Sequence, residues 1–308
     1  MTRADAINAL ALVAALLAAG AGAWLVHGWR PVVMAGPLAA AGTVTGHDGV
    51  AVTVQDFRRI VSLVPSWDDA AADLGLLSRF AAISTYSREH STRRAQLAAV
   101  PATIPKASSV EDLLALRPDL VLLSTFGDGG RATKLRAAGI TVFNVGDELG
   151  IADAERGLHE LAELCGDAPR GEAAARAWRR RLLLVPDPER PRESACYVGC
   201  FAGKLSGGTQ GTSFGDVITA VGFTDAAAAH GYTGWPDYRV EDLIAIDPDV
   251  IICPLGNAAE IRRLPGAEHL RAVVHDRLIE VDGGLLAMPG VAILDAAQAV
   301  ALARARRP

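Results

Sequence analysis

The 308-residue sequence is poor in cysteine, with four, and in aromatic residues, at 5%. Four cysteines in so long a chain cannot form the dense cross-linking of a small disulfide scaffold, and none has zinc-site spacing. Positive charge is scarce in clusters: the densest run is Arg179-Arg180-Arg181, and the formal net charge is −5. Phosphate neutralisation needs a concentrated basic surface, so nucleic acid is excluded as a partner. No Walker A sequence is present, so any ATP-driven step belongs to another subunit. What is present, 50% hydrophobic and 21% charged residues, is the composition of a globular protein. The length corresponds to about two domains of roughly 150 residues each.

Residues 1–30 stand apart. Ala6 to Val26 is an uncharged run preceded by Arg3 and closed by Arg30-Pro31, which suits either a signal peptide or a single membrane anchor. Ala21-Gly22-Ala23 offers a cleavage site, yet the run is longer than the usual apolar region of a signal. Both readings place the rest in the periplasm or otherwise outside the cytoplasm. Cys196 and Cys200 sit four apart in an apparent strand, roughly 13 Å along extended backbone, too far to bridge. Cys165 falls in a helical pattern and Cys253 ends an apolar strand, so buried free thiols are expected, with a link from Cys196 or Cys200 to Cys253 left open.

From Arg59 onward, short apolar strands alternate with helical segments, the grammar of an α/β fold with parallel, doubly wound sheets. An internal repeat is the most informative feature. Val110-Glu111-Asp112-Leu113-Leu114-Ala115-Leu116-Arg117-Pro118-Asp119-Leu120-Val121-Leu122-Leu123 matches Val240-Glu241-Asp242-Leu243-Ile244-Ala245-Ile246-Asp247-Pro248-Asp249-Val250-Ile251-Ile252-Cys253. Each copy reads as a helix with an acidic start, a Pro-Asp corner and a fully apolar strand suited to a sheet covered on both faces. The organisation predicted is an N-terminal lobe over 57–150, a helical linker over 151–192 and a C-terminal lobe over 193–308. Two similar lobes on a stiff helical linker leave a ligand cleft between them.

With the repeat stand Arg59-Ile60-Val61-Ser62-Leu63-Val64-Pro65-Ser66, Ile83-Ser84-Thr85-Tyr86-Ser87, Gly211-Thr212-Ser213-Phe214-Gly215-Asp216-Val217-Ile218 and Gly234-Trp235-Pro236. In this order, over roughly 57–305, the chain resembles the helical-backbone (class III) substrate-binding proteins of ABC importers, which capture cobalamin, iron–siderophore complexes and haem. The resemblance implies a monomer that closes little, with a permease and its ATPase subunit as partners. It implies no catalytic residue, resident metal or cofactor, the metal chelate being cargo. It assigns permease docking to Glu111 and Glu241, and the repeat gives the physical reason: equivalent helix starts on two lobes present matched carboxylates to a two-fold partner. Ligand contacts are expected from Ser66, Trp67, Tyr86, Phe126, Ser213, Tyr232, Trp235 and Tyr238. Flat aromatics give a large, partly apolar ligand contact area at low entropic cost. An anionic iron chelate would call on Arg88, Lys106 or Arg239, and haem on an axial Tyr86, His90 or His230.

Two other functions fit parts of the sequence. Gly211-Thr212-Ser213-Phe214-Gly215 has the G-x-S-x-G pattern of a serine hydrolase, with Asp247 or Asp249 and His269 or His275 following. The preceding Leu205-Ser206-Gly207-Gly208-Thr209-Gln210 is loop chemistry rather than the apolar strand such an elbow needs, so Ser213 is read as the N-cap of a helix. A membrane-anchored receptor or accessory subunit keeping the binding fold is the third reading.

Overall fold

The structure, a computed structural model, describes residues 42–125 and 130–306. The N-terminal segment 1–30 and Phe126 lie outside the described residues. Among the described residues, no helix is long and apolar enough to cross a membrane.

A hairpin of β1 (Thr43–Thr45) and β2 (Ala51–Thr53) opens the described chain. In each strand only the central valine is buried. The first lobe follows as a parallel sheet of β3 (Ile60–Ser62), β4 (Phe80–Ser84), β5 (Ala102–Ile104), β6 (Leu120–Leu123) and β7 (Val142–Asn144), in the order β5-β4-β3-β6-β7. The second lobe holds β8 (Ser194–Phe201), β9 (Lys204–Gly208), β10 (Thr224–Asp225), β11 (Asp237–Tyr238), β12 (Val250–Pro254) and β13 (Leu278–Val281). Its order is β11-β9-β8-β12-β13 with β10 beside β8, and the β8–β9 and β9–β11 pairs are antiparallel. This departs locally from the all-parallel expectation; the two-residue Ala202-Gly203 turn, with both residues in the left-handed region, folds β9 straight back on β8.

The repeat is a structural device used twice. In the first copy Asp119 accepts from the backbone N–H groups of Arg58 and Arg59, at 2.6 and 2.9 Å, just before β3. In the second, Asp249 accepts from the Ser194 N–H at 2.9 Å, at the start of β8. Each Pro-Asp corner thus pins the first strand of its lobe beside the apolar strand that follows, with Ile60 paired to Leu120 and Ala195 to Val250. The residue before each proline, Arg117 and Asp247, takes the left-handed conformation in both copies, at φ 49° and 42°. A proline disfavours right-handed helical geometry in the residue before it, and the left-handed turn stops both helices at the same place.

The linker is a hairpin of two helices, Ile151–Leu164 and Ala168–Leu183. Gly171 lets them touch: a Cβ there would lie 2.8 Å from the Ala162 Cβ. The first packs its Gly157 on the Trp67 indole, and the second donates from Trp178 Nε1 to the Val291 carbonyl at 2.9 Å. One apolar cluster therefore runs from Phe57, Trp67 and Phe143 through Leu158 and Trp178 to Ile218, Ile293 and Val300, joining both lobes through the linker. A second bond between lobes is ionic. Arg93, almost buried, forks onto Asp73 at 2.6 and 2.8 Å and reaches Asp295 at 2.6 Å, where Thr92 also donates.

Candidate functional site

In an open α/β sheet, ligands bind outside the carboxyl ends of the strands, and here those ends bring the lobes together. Ser66 follows β3 and packs on Gly290 of the second lobe, where φ is +71° and a Cβ would sit 2.6 Å from the Ser66 Cβ. Its hydroxyl donates to Glu148, between β7 and the linker. Burial is the main cause that pushes the Glu148 carboxyl up to about 7.

Tyr86 lies beyond β4 on a short helix, Thr85–His90, held by polar groups beneath it. Ser84 Oγ accepts from the Tyr86 N–H, while the buried Asp68 accepts from the Ser84 N–H at 2.9 Å and the Ser87 hydroxyl at 2.6 Å. Tyr86 stays 40% exposed, its ring tilted against His90 with centroids 4.5 Å apart. Desolvation first, then the negative charge of Asp282 beyond β13, raises the Tyr86 hydroxyl pKa above the ordinary tyrosine value. Trp235 is presented differently. The Gly234 and Pro236 carbonyls accept from Thr209 and Gly207 at 3.1 and 2.7 Å, so the loop is fixed to the sheet while the indole remains 60% exposed.

The other expected ligand contacts divide. Trp67 is core: it is third in the Pro65–Asp73 helix, faces inward and packs on Phe143 with ring centroids 5.5 Å apart. Tyr238 is buried against Gly207, its hydroxyl accepting from the Cys196 thiol at 3.7 Å, and meets the half-buried Tyr232 edge-on. Ser66 and Ser213 are buried. Ser213 does not cap its helix; Thr212 does, accepting from the Gly215 N–H and donating to the Thr209 carbonyl. The hydrolase candidates have other partners: Asp247 and Asp249 pair with Arg271, and His269 lies beside Glu268. All four cysteines are free and buried, so the disulfide left open is not formed. Two residues that sequence reasoning passed over, Phe201 and Leu255, are exposed at the ends of β8 and β12. Phe201 is the last residue of β8 and pairs with Lys204 across the Ala202-Gly203 turn, which places it at a hairpin tip.

Glu111 and Glu241 occupy equivalent places. In the Val110–Ala115 helix Asp112 takes the capping role, accepting from the Ser109 N–H, and in Val240–Ile246 Asp242 does the same for Arg239. The glutamates beside them are exposed and make no hydrogen bond or ion pair among the described residues; Glu241 lies in the field of Arg239.

Two lobes on a helical linker, with ligand-sized aromatics at the strand ends, define a binding protein of the two-lobe α/β type. The chain belongs to the family described as periplasmic binding protein, which it matches over residues 60–284. That family provides the substrate-binding component of ABC transporters. The chain is 23% identical over 253 residues to an uncharacterized ABC transporter substrate-binding lipoprotein, YvrC, of Bacillus subtilis, covering 79% of each. It is 28% identical over 199 residues to a cobalamin-binding protein of Halobacterium salinarum, covering 63% of this chain and 53% of that one. Its fold is that of the periplasmic heme-binding protein RhuT of Roseiflexus sp. RS-1, with TM-score 0.69, 20% identity and coverage of 80% and 97%. These relatives are binding proteins rather than enzymes.

Proposed function

We propose that this chain captures a metal chelate of the cobalamin, siderophore or haem kind outside the cytoplasm and delivers it to an ABC permease. The observation that carries this reading is the matched pair Glu111 and Glu241. Each stands at the start of a helix whose cap is already supplied by the neighbouring aspartate, so neither is needed to hold its own helix. Two outward carboxylates on pseudo-equivalent lobes suit paired cations on a two-fold partner. Tyr86 and Trp235 supply the aromatic surface for the cargo; Phe126 belongs to the same proposal on its sequence position alone.

Calorimetric titration of the full chain with cyanocobalamin, haemin and ferric siderophores tests the capture step. One of them should bind at micromolar or tighter affinity, and Trp235→Ala should weaken that binding about tenfold. Unchanged affinity would remove Trp235 from the site. The double substitution Glu111→Ala with Glu241→Ala should leave ligand affinity within about twofold while permease-dependent uptake falls by tenfold or more. Equal loss of binding and uptake would overturn the docking role.

A further inference from the structure

Resting on the importer reading above, we infer that the cleft selects a neutral or positively charged chelate with a broad apolar face and rejects anionic chelates. The apolar half of the argument lies in the second lobe. Phe201 is 86% exposed at the end of β8, and Leu255 is 64% exposed immediately beyond β12. β8 and β12 are neighbours, with Ile252 opposite Tyr197, so Leu255 comes level with Cys200 and next to Phe201. Neither side chain is loosely carried. The Leu255 N–H donates to the Val281 carbonyl at 3.0 Å, Glu280 accepts from the Gly256 and Ala258 N–H groups, and Asn257 accepts from the Cys200 N–H at 2.7 Å. A rigid turn that holds two large apolar side chains in water, at the strand ends where the lobes meet, is a surface built to be covered.

The charge half comes from what faces that surface. Asp282 follows β13, the strand beside β12; it caps the Gly283–Ala287 helix through the Leu285 N–H at 3.0 Å and remains exposed, and its negative charge is felt at the Tyr86 hydroxyl. The arginines and the hairpin lysine on the strand-end loops are directed elsewhere. The Arg88 guanidinium turns inward to the Val100 carbonyl at 2.6 Å, Arg131 reaches the Lys106 and Ser108 carbonyls, and Lys204 pairs with Asp237 at 3.1 Å. Arg239, the other cation suited to an anionic chelate, is held by Asp242. Lys106 follows β5, the edge strand of the first sheet. An anionic ligand group entering between Tyr86 and the Phe201–Leu255 surface would therefore meet Asp282 as a like charge. Repulsion of the wrong ligand is as effective a source of specificity as attraction of the right one.

The test is a calorimetric titration of the full chain at pH 8, where an ordinary imidazole is neutral. The probes are cyanocobalamin as the neutral chelate, ferrioxamine B as the cationic one, and haemin and ferric enterobactin as the anionic ones. The expected result is that a neutral or cationic probe binds at least about thirtyfold tighter than either anion. Phe201→Ala and Leu255→Ala should each weaken the preferred probe by roughly five- to tenfold. Asp282→Asn should narrow the gap between ferrioxamine B and the anions by about threefold, with the thermal midpoint of each variant confirming that it folds. Preferred binding of an anionic probe would overturn the inference while leaving the importer reading intact. So would unchanged affinity in Phe201→Ala and Leu255→Ala together, which would reassign that surface to the permease. Failure of every probe to bind would remove the importer reading, and the inference with it.

Discussion

Arg93→Ala should destabilise the protein by about 3–5 kcal/mol, the cost of breaking a nearly buried ion pair by removing one partner. The guanidinium forks onto Asp73, bonds Asp295 from the other lobe and lies 3.9 Å from the buried Asp69. Its removal leaves three carboxylates without their cation and unties the lobes at the Asp295 contact. Thermal unfolding at pH 7.5 should show a midpoint roughly 10 °C lower, at about 2–4 °C per kcal/mol for a domain of this size. Orphaned carboxylates bind protons more readily in the folded state than in the unfolded chain. Part of the loss should therefore return on acidification to about pH 5, within the range where carboxylates held above their ordinary value take up protons. A loss below 1 kcal/mol, or one that deepens toward acid, would mean that Arg93 is merely a surface ion pair.

Glu148→Gln should stabilise the protein at alkaline pH by about 2 kcal/mol and change little near pH 5. The carboxyl is pushed up from 4.5 to about 7, by burial first. Between those values the folded state holds a proton that the unfolded chain has released, so stability is greatest below the unfolded value and falls as pH rises through 7. Asp69, raised to about 6, and Glu160, raised to about 7, slope the same way. Wild-type stability should thus decline from pH 5.5 to 8 in denaturant titrations, and the glutamine variant should flatten much of that decline. Glutamine keeps a partner for the Ser66 hydroxyl while removing the charge. A wild type that gains stability across this interval, or a glutamine variant that loses it at pH 8, would contradict a protonated Glu148 between the lobes.

The repeated unit was legible because its determinants are local. The apolar end of the first copy, Leu120–Leu123, is strand, and the helix before it starts at Val110, where the copy begins. The outer hairpin was missed although Thr43-Val44-Thr45 and Ala51-Val52-Thr53 alternate around His47-Asp48-Gly49, because three-residue strands in a Gly/Ala/Val-rich stretch give little periodicity. Trp67 shows where site reading fails. Pro65 opens a helix, and its first turn carries the indole away from the cleft onto Phe143 and Gly157. The Arg93 contact joins positions 202 residues apart, and the approach of Asp282 to Tyr86 depends on how two lobes are set against each other. No local pattern encodes either.

The contrast between Trp67, Trp178 and Trp235 divides the emission of the described residues into two populations. Trp67 and Trp178 are 1% and 4% exposed, clamped between lobe and linker, and should emit at short wavelength beyond the reach of acrylamide. Trp235, at 60% exposure, should emit at long wavelength and be quenched freely. A cargo settling on the indole would shield the red component from acrylamide, whereas lobes parting at the linker would expose the blue one to it, so acrylamide access distinguishes occupancy from opening.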